Sequence, residues 1–418
     1  MEDDMEIERE SKRRKSTPKE HHQPGNNLYS LPQEIALDII SRLHVKSVIQ
    51  FRYVCRSCHK LSLDQDLANL HLTRALKNND IALIFHCDFP VNNQLYFVEF
   101  SHQDHEKNVL RRIHTPFSST LPEFRIVSSC NGLLCLSSTL VNDGPYVYNP
   151  FTRDYKVLPK STEFQDQEVI IGFGVHPHTN EYRVVRIVYY WNLYELSPLR
   201  SLRFRAQNFP RSEVQVFYQS SEKWRVIIGD IPYKLDQSSG GVFVNGRLHW
   251  VSIWGKNHAR RERILVSFDL SDELFREVPL PENHLYLIRH RYSLSVLGGF
   301  LAVVDPSNTN YGAQDIWIMK QYGVKESWEK VFSIGVYYVT TFQSPEMQQK
   351  YRIWKNVLDE RFARVLCLLK NGEILLQYRW GALVSYNPES RMFKDLRFKG
   401  MPKFFHTVVH VGSLSQAN

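Results

Sequence analysis

Two cysteines three residues apart, with a histidine beside them, are the first group here whose types and spacing could do chemistry. Cys55-Arg56-Ser57-Cys58-His59 has the spacing of half a zinc site, and His71 lies further on. A structural zinc ion takes four ligands, commonly from two such pairs, and the chain has no second Cys-x-x-Cys. Both thiols fall among apolar neighbours on a predicted helix, so they read as buried, packing as small hydrophobes. Cys130 and Cys135 flank a predicted turn between strands and read the same way. Gly172-Phe173-Gly174-Val175 lacks the third glycine of a dinucleotide fingerprint and reads as strand. The histidine pairs His102/His105 and His176/His178 have no acidic or cysteine ligands at useful spacing and read as surface residues. No nucleophile elbow, phosphate loop or zinc helix occurs. No catalytic residue, metal or cofactor is therefore expected.

Arginine is the other clustered type. Arg200, Arg203, Arg205 and Arg211 crowd the segment between Tyr190 and Val214. Arg260, Arg261 and Arg263 crowd a second, and Arg289 and Arg291 a third. Dispersed solvated charge is the simpler reading. If the segments share one rim, however, they form a cationic mouth, because guanidinium forks bind carboxylate and phosphate bidentately. An acidic or phosphorylated protein segment would suit it. Trp191 and Trp254 lie in the same region and are candidate interface anchors, since Trp and Arg dominate hot spots. The candidate target-binding set is Arg200, Arg203, Arg205, Arg261, Trp191 and Trp254.

These residues must be positioned by a chain of 418 residues, too long for one ordinary domain. Hydrophobic residues make up 43% and charged residues 23%, which excludes a largely disordered protein. No apolar run is long enough to predict a transmembrane helix. The start, MEDDMEIERESKRRK, is charged where a secretory signal would be apolar. Six cysteines are too few for a disulfide scaffold. Reduced thiols in the cytoplasm or nucleus are expected. Nearly all of the net charge of +8 falls beyond residue 80, and at that density it favours acidic partners only weakly.

Three segments follow. Residues 1–27 read as a disordered charged arm. Its Lys12-Arg13-Arg14-Lys15 cluster is a solvated charge run or, alternatively, a nuclear import signal. Residues 28–79 read as four short helices. Ser30 and Gln33 have capping-box spacing with Pro32 in the first turn, and Ile35, Ile39 and Leu43 recur at helical intervals behind them. So small a bundle cannot cover that stripe by itself, which leaves a partner or the chain's own large domain to do it. Residues 81–412 read as short strands broken by Asn-Gly, Gly-Gly and Asn-Pro turns. Asn131-Gly132, Asn245-Gly246, Gly298-Gly299 and Asn371-Gly372 each open an apolar strand. Tyr148-Asn149-Pro150-Phe151-Thr152-Arg153 returns nearly unchanged as Tyr386-Asn387-Pro388-Glu389-Ser390-Arg391. Units of four strands repeating at about 60 residues predict a β-propeller, here of about six blades. The early strands 81–85, 94–100 and 109–113 should pair with Phe404–Val411 and close the ring.

Leu31-Pro32-Gln33-Glu34-Ile35, Ile39-Ile40-Ser41-Arg42-Leu43, Val45-Lys46-Ser47-Val48, Phe51-Arg52 and Val54-Cys55-Arg56-Ser57 closely resemble an F-box. Ser129-Cys130-Asn131-Gly132-Leu133-Leu134-Cys135-Leu136, with the Asn-Pro turn after it, resembles the F-box-associated domain of plant F-box proteins. The resemblance implies a substrate-recognition subunit of a SKP–cullin–F-box ubiquitin ligase. It implies docking on a SKP-type adaptor, and through it cullin and RING subunits, by Leu31, Pro32, Ile35, Ile39, Leu43, Val45, Val48 and Cys58. It also implies a target protein held by the propeller, and no enzymatic activity of the chain's own. The sequence departs from the family at His44, usually Pro, and at Cys58, usually Trp. The rival readings are a propeller-scaffold enzyme and a basic nucleic-acid-binding regulator.

Overall fold

A computed structural model describes residues 31–417 apart from 90–92, 101–108, 122, 139–143, 165, 192–208, 238–239, 257–261, 282–291, 307–312, 336, 338–362, 379–381 and 403. It opens with four helices, α1 (Gln33–Ile40), α2 (Val45–Phe51), α3 (Arg56–Ser62) and α4 (Gln65–Lys77). Pro32, not Ser30, is the N-cap residue of α1. Ser30 lies outside the described residues. The Gln33 amide reaches not back along its own helix but across to Asp64 Oδ2 at 3.1 Å. Asp64 in turn caps α4, accepting from Asp66 N at 2.8 Å. His44 caps α2, its Nδ1 accepting from Lys46 N at 3.3 Å. The departure from the family's Pro therefore still supplies a helix start.

The strands form six antiparallel sheets. β1 (Ile81–Phe89), β2 (Gln94–Glu99) and β3 (Arg111–Ile113) make one sheet with β25 (Phe404–Val411). β4 (Phe124–Cys130), β5 (Leu133–Ser138), β6 (Tyr146–Tyr148) and β7 (Tyr155–Val157) make the next. β8 (Glu168–Val175), β9 (Tyr182–Tyr190), β10 (Arg211–Tyr218) and β11 (Lys223–Ile228) follow. In the fourth, β12 (Tyr233–Leu235) and β13 (Val242–Val244) both pair with β14 (Arg247–Gly255), which leads to β15 (Ile264–Asp269) and β16 (Phe275–Glu277). β17 (Ser293–Leu297), β18 (Phe300–Asp305), β19 (Gln314–Met319) and β20 (Trp328–Ile334) are the fifth; β21 (Arg364–Leu368), β22 (Ile374–Gln377), β23 (Leu383–Asn387) and β24 (Met392–Asp395) are the sixth.

Contacts run β25 to β4, β4 to β8, β8 to β13 and β14, on to β17, then β21, and back to β25. Apart from β14, which lies one place out from β12 and β13, these are the inner strands of a six-bladed propeller. The ring closes as the sequence predicts: β25 pairs with β1, Ile81 opposite Val411 and His86 opposite His406. Strands from the two ends of the β region thus share one blade, which removes the open edges of a linear array. Apolar residues of facing blades fill the gaps between sheets, as where Ile84 and Val408 meet Ile126, Leu134 and Tyr148.

The two rims of this ring differ. On one, tight turns join the strands. Asn131-Gly132, Asn245-Gly246 and Gly298-Gly299 have positive φ at both positions, the two-residue hairpin that matches strand twist. Asn149 Oδ1 accepts from Phe151 N and Thr152 N at 2.9 and 3.2 Å, and Asn387 makes the same turn with Glu389 and Ser390. On the other rim most of the long connections begin and end; the connection from β2 to β3, residues 100–110, belongs to the turn rim. Tyr190 pairs with Arg211, Ser252 with Ile264, Asp305 with Asp315, and the segment 335–363 joins the same ends of β20 and β21.

The helical head packs on the turn rim. Leu37, Ile40, Val45, Val48, Leu67 and Ala68 form its core with Leu414, and Phe151 of a propeller turn leans on them. Residues 412–417 lie beyond the expected end of the β unit and cross this rim as a strap. Ser413 Oγ and Ser415 Oγ donate to Asn131 O at 3.1 and 3.2 Å. Asn149 Nδ2 donates to the carbonyls of Ser413 and Ser415, Ala417 N donates to Asp154 Oδ2 at 2.7 Å, and Tyr182 OH donates to Ala417 O at 2.9 Å. A Cβ at Gly132 would lie 1.8 Å from Ser413 Oγ, so the strap passes there only over glycine. Ion pairs add to the attachment: Lys46 with Glu99, and Lys370 with Asp80 at 2.5 Å. Exposed pairs are worth about 0–1 kcal/mol, against roughly 1.5–3 kcal/mol for burying one leucine, so the apolar strap contributes more.

Candidate docking surfaces

α1 divides into two faces. Ala36, Leu37 and Ile40 are buried in the head. Leu31, Ile35, Ile39 and Leu43, one turn apart, are 40 to 48% exposed, with exposed Pro32 at the head of the row. The helix carrying the stripe is held rigidly from behind. Arg74 of α4 pairs with Asp38, donates to its carbonyl at 2.6 Å and bonds Ser41 Oγ. The Arg74 bond, followed by that of Arg42, holds the Asp38 carboxyl below the usual range. Buried His71 bonds the carbonyl of Leu43 through Nε2 at 3.0 Å, which fixes the last residue of the row.

Three residues expected on this docking face are not on it. Val45, Val48 and Cys58 are buried. α2 is covered on the propeller side, where a Cβ at Gly412 would lie 2.9 Å from Val45 Cγ1, and Val48 faces inward into the head core. Cys58 is turned in against Cys55, with 3.1 Å between the sulfurs, and its amide donates to Cys55 Sγ at 3.4 Å. The Cys-x-x-Cys pair is thus a helix cap. Among the described residues no group of three or more His, Cys, Asp or Glu is placed to hold a metal ion.

The second surface is the rim of long connections. Arg200, Arg203, Arg205, Arg260, Arg261, Arg289 and Arg291 lie outside the described residues, so the expected cationic mouth is not drawn there. The described arginines of those segments have carboxylate partners: Arg211 with Asp230 at 2.6 Å and Arg263 with Asp236 at 3.1 Å. Trp191 is half-buried, with Lys234 Nζ 5.7 Å from its ring. Trp254 is half-buried and meets Phe209 edge to face at 5.1 Å. Sequence reasoning missed two arginines on inner strands near this same rim, Arg364 at the start of β21 and Arg125 in β4. Arg364 Nη1 meets His406 Nε2 at 2.6 Å and donates to Thr407 O at 3.0 Å. Burial lowers its pKa to about 10, so it stays charged at neutral pH. His406 is held neutral, first by burial, then by Arg364 and His86. A single arginine opening an apolar strand has no spacing signature, which is why neither residue stood out.

Comparison with known proteins fits this arrangement. Residues 28–69 match the F-box domain, and residues 82–415 match the F-box associated beta propeller domain. The chain belongs to the F-box proteins with an associated propeller. F-box protein At3g07870 of Arabidopsis thaliana is 42% identical over 401 residues, covering 94% of this chain and 93% of that one. F-box protein CPR1 of the same plant is 27% identical over 403 residues, covering 92% and 88%. The F-box is therefore the helical head, and its exposed row is the outer face of α1. The F-box departure at Cys58 falls on a buried side chain turned in against Cys55.

Proposed function

We propose that this F-box protein is the substrate-recognition subunit of a SKP–cullin–F-box ubiquitin ligase. The observation that carries the reading is the row Leu31, Ile35, Ile39 and Leu43, left uncovered on a helix that Arg74 and His71 hold fixed. A rigid, solvated apolar row suits a preformed groove in a SKP-type adaptor, because little ordering entropy opposes the fit. The propeller holds the target on the rim of long connections, opposite the F-box. The chain contributes proximity: it raises the local concentration of target lysines near the transfer machinery.

The test is adaptor capture by the full chain and by Ile35→Asp/Ile39→Asp. Each lost apolar contact is worth about 1.5–3 kcal/mol. The double variant should bind a plant SKP-type adaptor on the order of a hundredfold more weakly or worse. Its thermal midpoint should stay near wild type, since both side chains are exposed. Equal capture by the two proteins would overturn the reading.

A further inference from the structure

The helix cap at Cys55 is made by a thiol, and the side chain it faces is a second thiol. All six cysteines of the chain are in the thiol form. Four of them, Cys87, Cys130, Cys135 and Cys367, are buried in the propeller. Burial pushes Cys130, Cys135 and Cys367 up to about 12, so they stay protonated and inert. The pair in the F-box is arranged differently. The Cys55 thiol donates to Cys58 Sγ across 3.1 Å, and Cys58 N donates back to Cys55 Sγ at 3.4 Å. Cys55 is half-buried, whereas Cys58 is only 6% exposed. One sulfur is open to a reagent from solvent, and the other stands behind it.

The backbone already suits a bridge. Cys55 immediately precedes α3, and Cys58 is the third residue of that helix. Residues three apart on a helical turn have Cα atoms about 5 Å apart, inside the span a disulfide bridges. The sulfurs need to close by only about 1 Å to reach bonding distance. The surrounding sequence is cationic. No acidic residue stands between Asp38 and Asp64, while Arg52, Arg56 and Lys60 flank the pair, so an anionic disulfide is drawn to this segment. Cys58 stands where the family usually has Trp. The second sulfur therefore belongs to this chain's own departure from the motif and not to F-boxes at large.

We propose that Cys55 and Cys58 form a reversible dithiol–disulfide couple, Cys55 attacking and Cys58 resolving, with a small anionic disulfide such as oxidised glutathione as the oxidant. Cys55 gives its proton to solvent, and its sulfur attacks one sulfur of the oxidant. A bond from Cys55 Sγ to that sulfur forms, the oxidant's S–S bond breaks, and the first thiolate leaves and takes up a proton. Cys58 then loses its proton and attacks Cys55 Sγ, which expels the second thiolate. Two protein thiols are oxidised and one disulfide is reduced to two thiols, a balanced two-electron exchange. An excess of reduced glutathione runs the same steps backwards. The bridge ties the segment carrying exposed Tyr53 and Val54 to the first turn of α3. The redox poise of the compartment thereby alters the surface of the F-box without unfolding it. The couple does not depend on the ligase reading.

The experiment equilibrates the full chain in glutathione buffers of rising oxidised fraction, quenches with acid, unfolds the protein, caps the remaining thiols with a maleimide and maps the tryptic peptides. Trypsin cuts after Arg52, Arg56 and Lys60, so the bridge reads as the peptide Tyr53–Arg56 linked to Ser57–Lys60. In wild type the linked pair should rise with the oxidised fraction and return to two capped thiols on reduction. It should outweigh the glutathione adduct of Cys55 at least tenfold, because the second step is intramolecular. The four propeller cysteines should be recovered capped throughout. Cys58→Trp, or Cys58→Ala if the bulkier variant does not fold, should instead hold one glutathione on Cys55. Cys55→Ser should leave Cys58 unmodified. Capped thiols at both positions at every oxidised fraction overturn the proposal. So does glutathione on both cysteines without a bridge, or oxidation of the propeller cysteines to the same extent as the pair. Modification of Cys58 in Cys55→Ser as fast as bridging in wild type overturns it as well, because the outer sulfur is then not the one that attacks.

Discussion

Three histidines in the propeller are kept neutral, and each in its own way. His249 bonds Val242 O through Nδ1 and Tyr322 OH through Nε2, at 3.3 and 2.7 Å, and burial lowers its pKa to about 4. His410 bonds Ser129 through Nδ1 at 2.9 Å, has no partner for Nε2 among the described residues, and is pushed to about 3 by burial. His406 lies well below the ordinary value, again through burial first. In the unfolded chain all three titrate near 6.5. As pH falls below that value the unfolded chain takes up protons that the folded one refuses, so stability is complete above pH 6.5 and declines below it. The slope for one histidine approaches about 1.4 kcal/mol per pH unit. The urea midpoint should therefore drop between pH 6.5 and 5, above the range where Asp38 and Asp272, whose pKa values are depressed by their arginine bonds, begin to titrate. His410→Gln should flatten the slope. A midpoint independent of pH across that window would count against the burial account. None of this was legible in the sequence, where a histidine inside a strand looks the same whether or not its second nitrogen finds a partner.

At the scale of elements, the strap decides how the F-box is finished. Leu414 occupies the core that α1, α2 and α4 leave open. Leu414→Ala should cost about 2–5 kcal/mol, the range for a buried leucine. Leu76→Ala, on the exposed side of α4, should shift stability by less than about 0.5 kcal/mol. Denaturant midpoints of the two variants check the contrast, and similar values would show that the strap does not complete the core. The exposed row on α1 was legible because residues four apart must share a face. The fate of Val45 and Val48 was not. Periodicity says that a side chain is apolar on one face, and only the strap and Phe151 say which faces are already covered. Ser413-Leu414-Ser415-Gln416-Ala417 has one large apolar residue and no period, so nothing in it marks a core segment. The Gln33 amide could not be placed from the sequence for a related reason: its partner, Asp64, is the cap of a helix far along the chain.

For the whole molecule, six blades and their closure followed from turn chemistry. Asn-Gly turns mark the second, fourth and sixth blades, Gly298-Gly299 the fifth, and Asn-Pro turns mark the second and sixth again, while the first and third carry neither. Which rim carries the F-box could not follow from turns, because it is set by where the strap and the end of α4 dock. Asn79 Nδ2 donates to Leu368 O at 3.2 Å on the same rim. Because Leu414 and Phe151 belong to one unit by chain position and to the other by packing, F-box and propeller should melt together. Scanning calorimetry of the full chain is expected to give one transition. Two resolved transitions would show that the units are independent.

The same strap has a genetic consequence. A premature stop codon at any of residues 401–404 deletes the inner strand of one blade and the plug of the F-box in a single event. Such an allele yields neither a spare receptor that competes for cargo nor a spare helical fragment that titrates adaptor. Late truncations should therefore behave as simple recessive losses, and dominant interference should arise only from alleles that shorten the front of the gene.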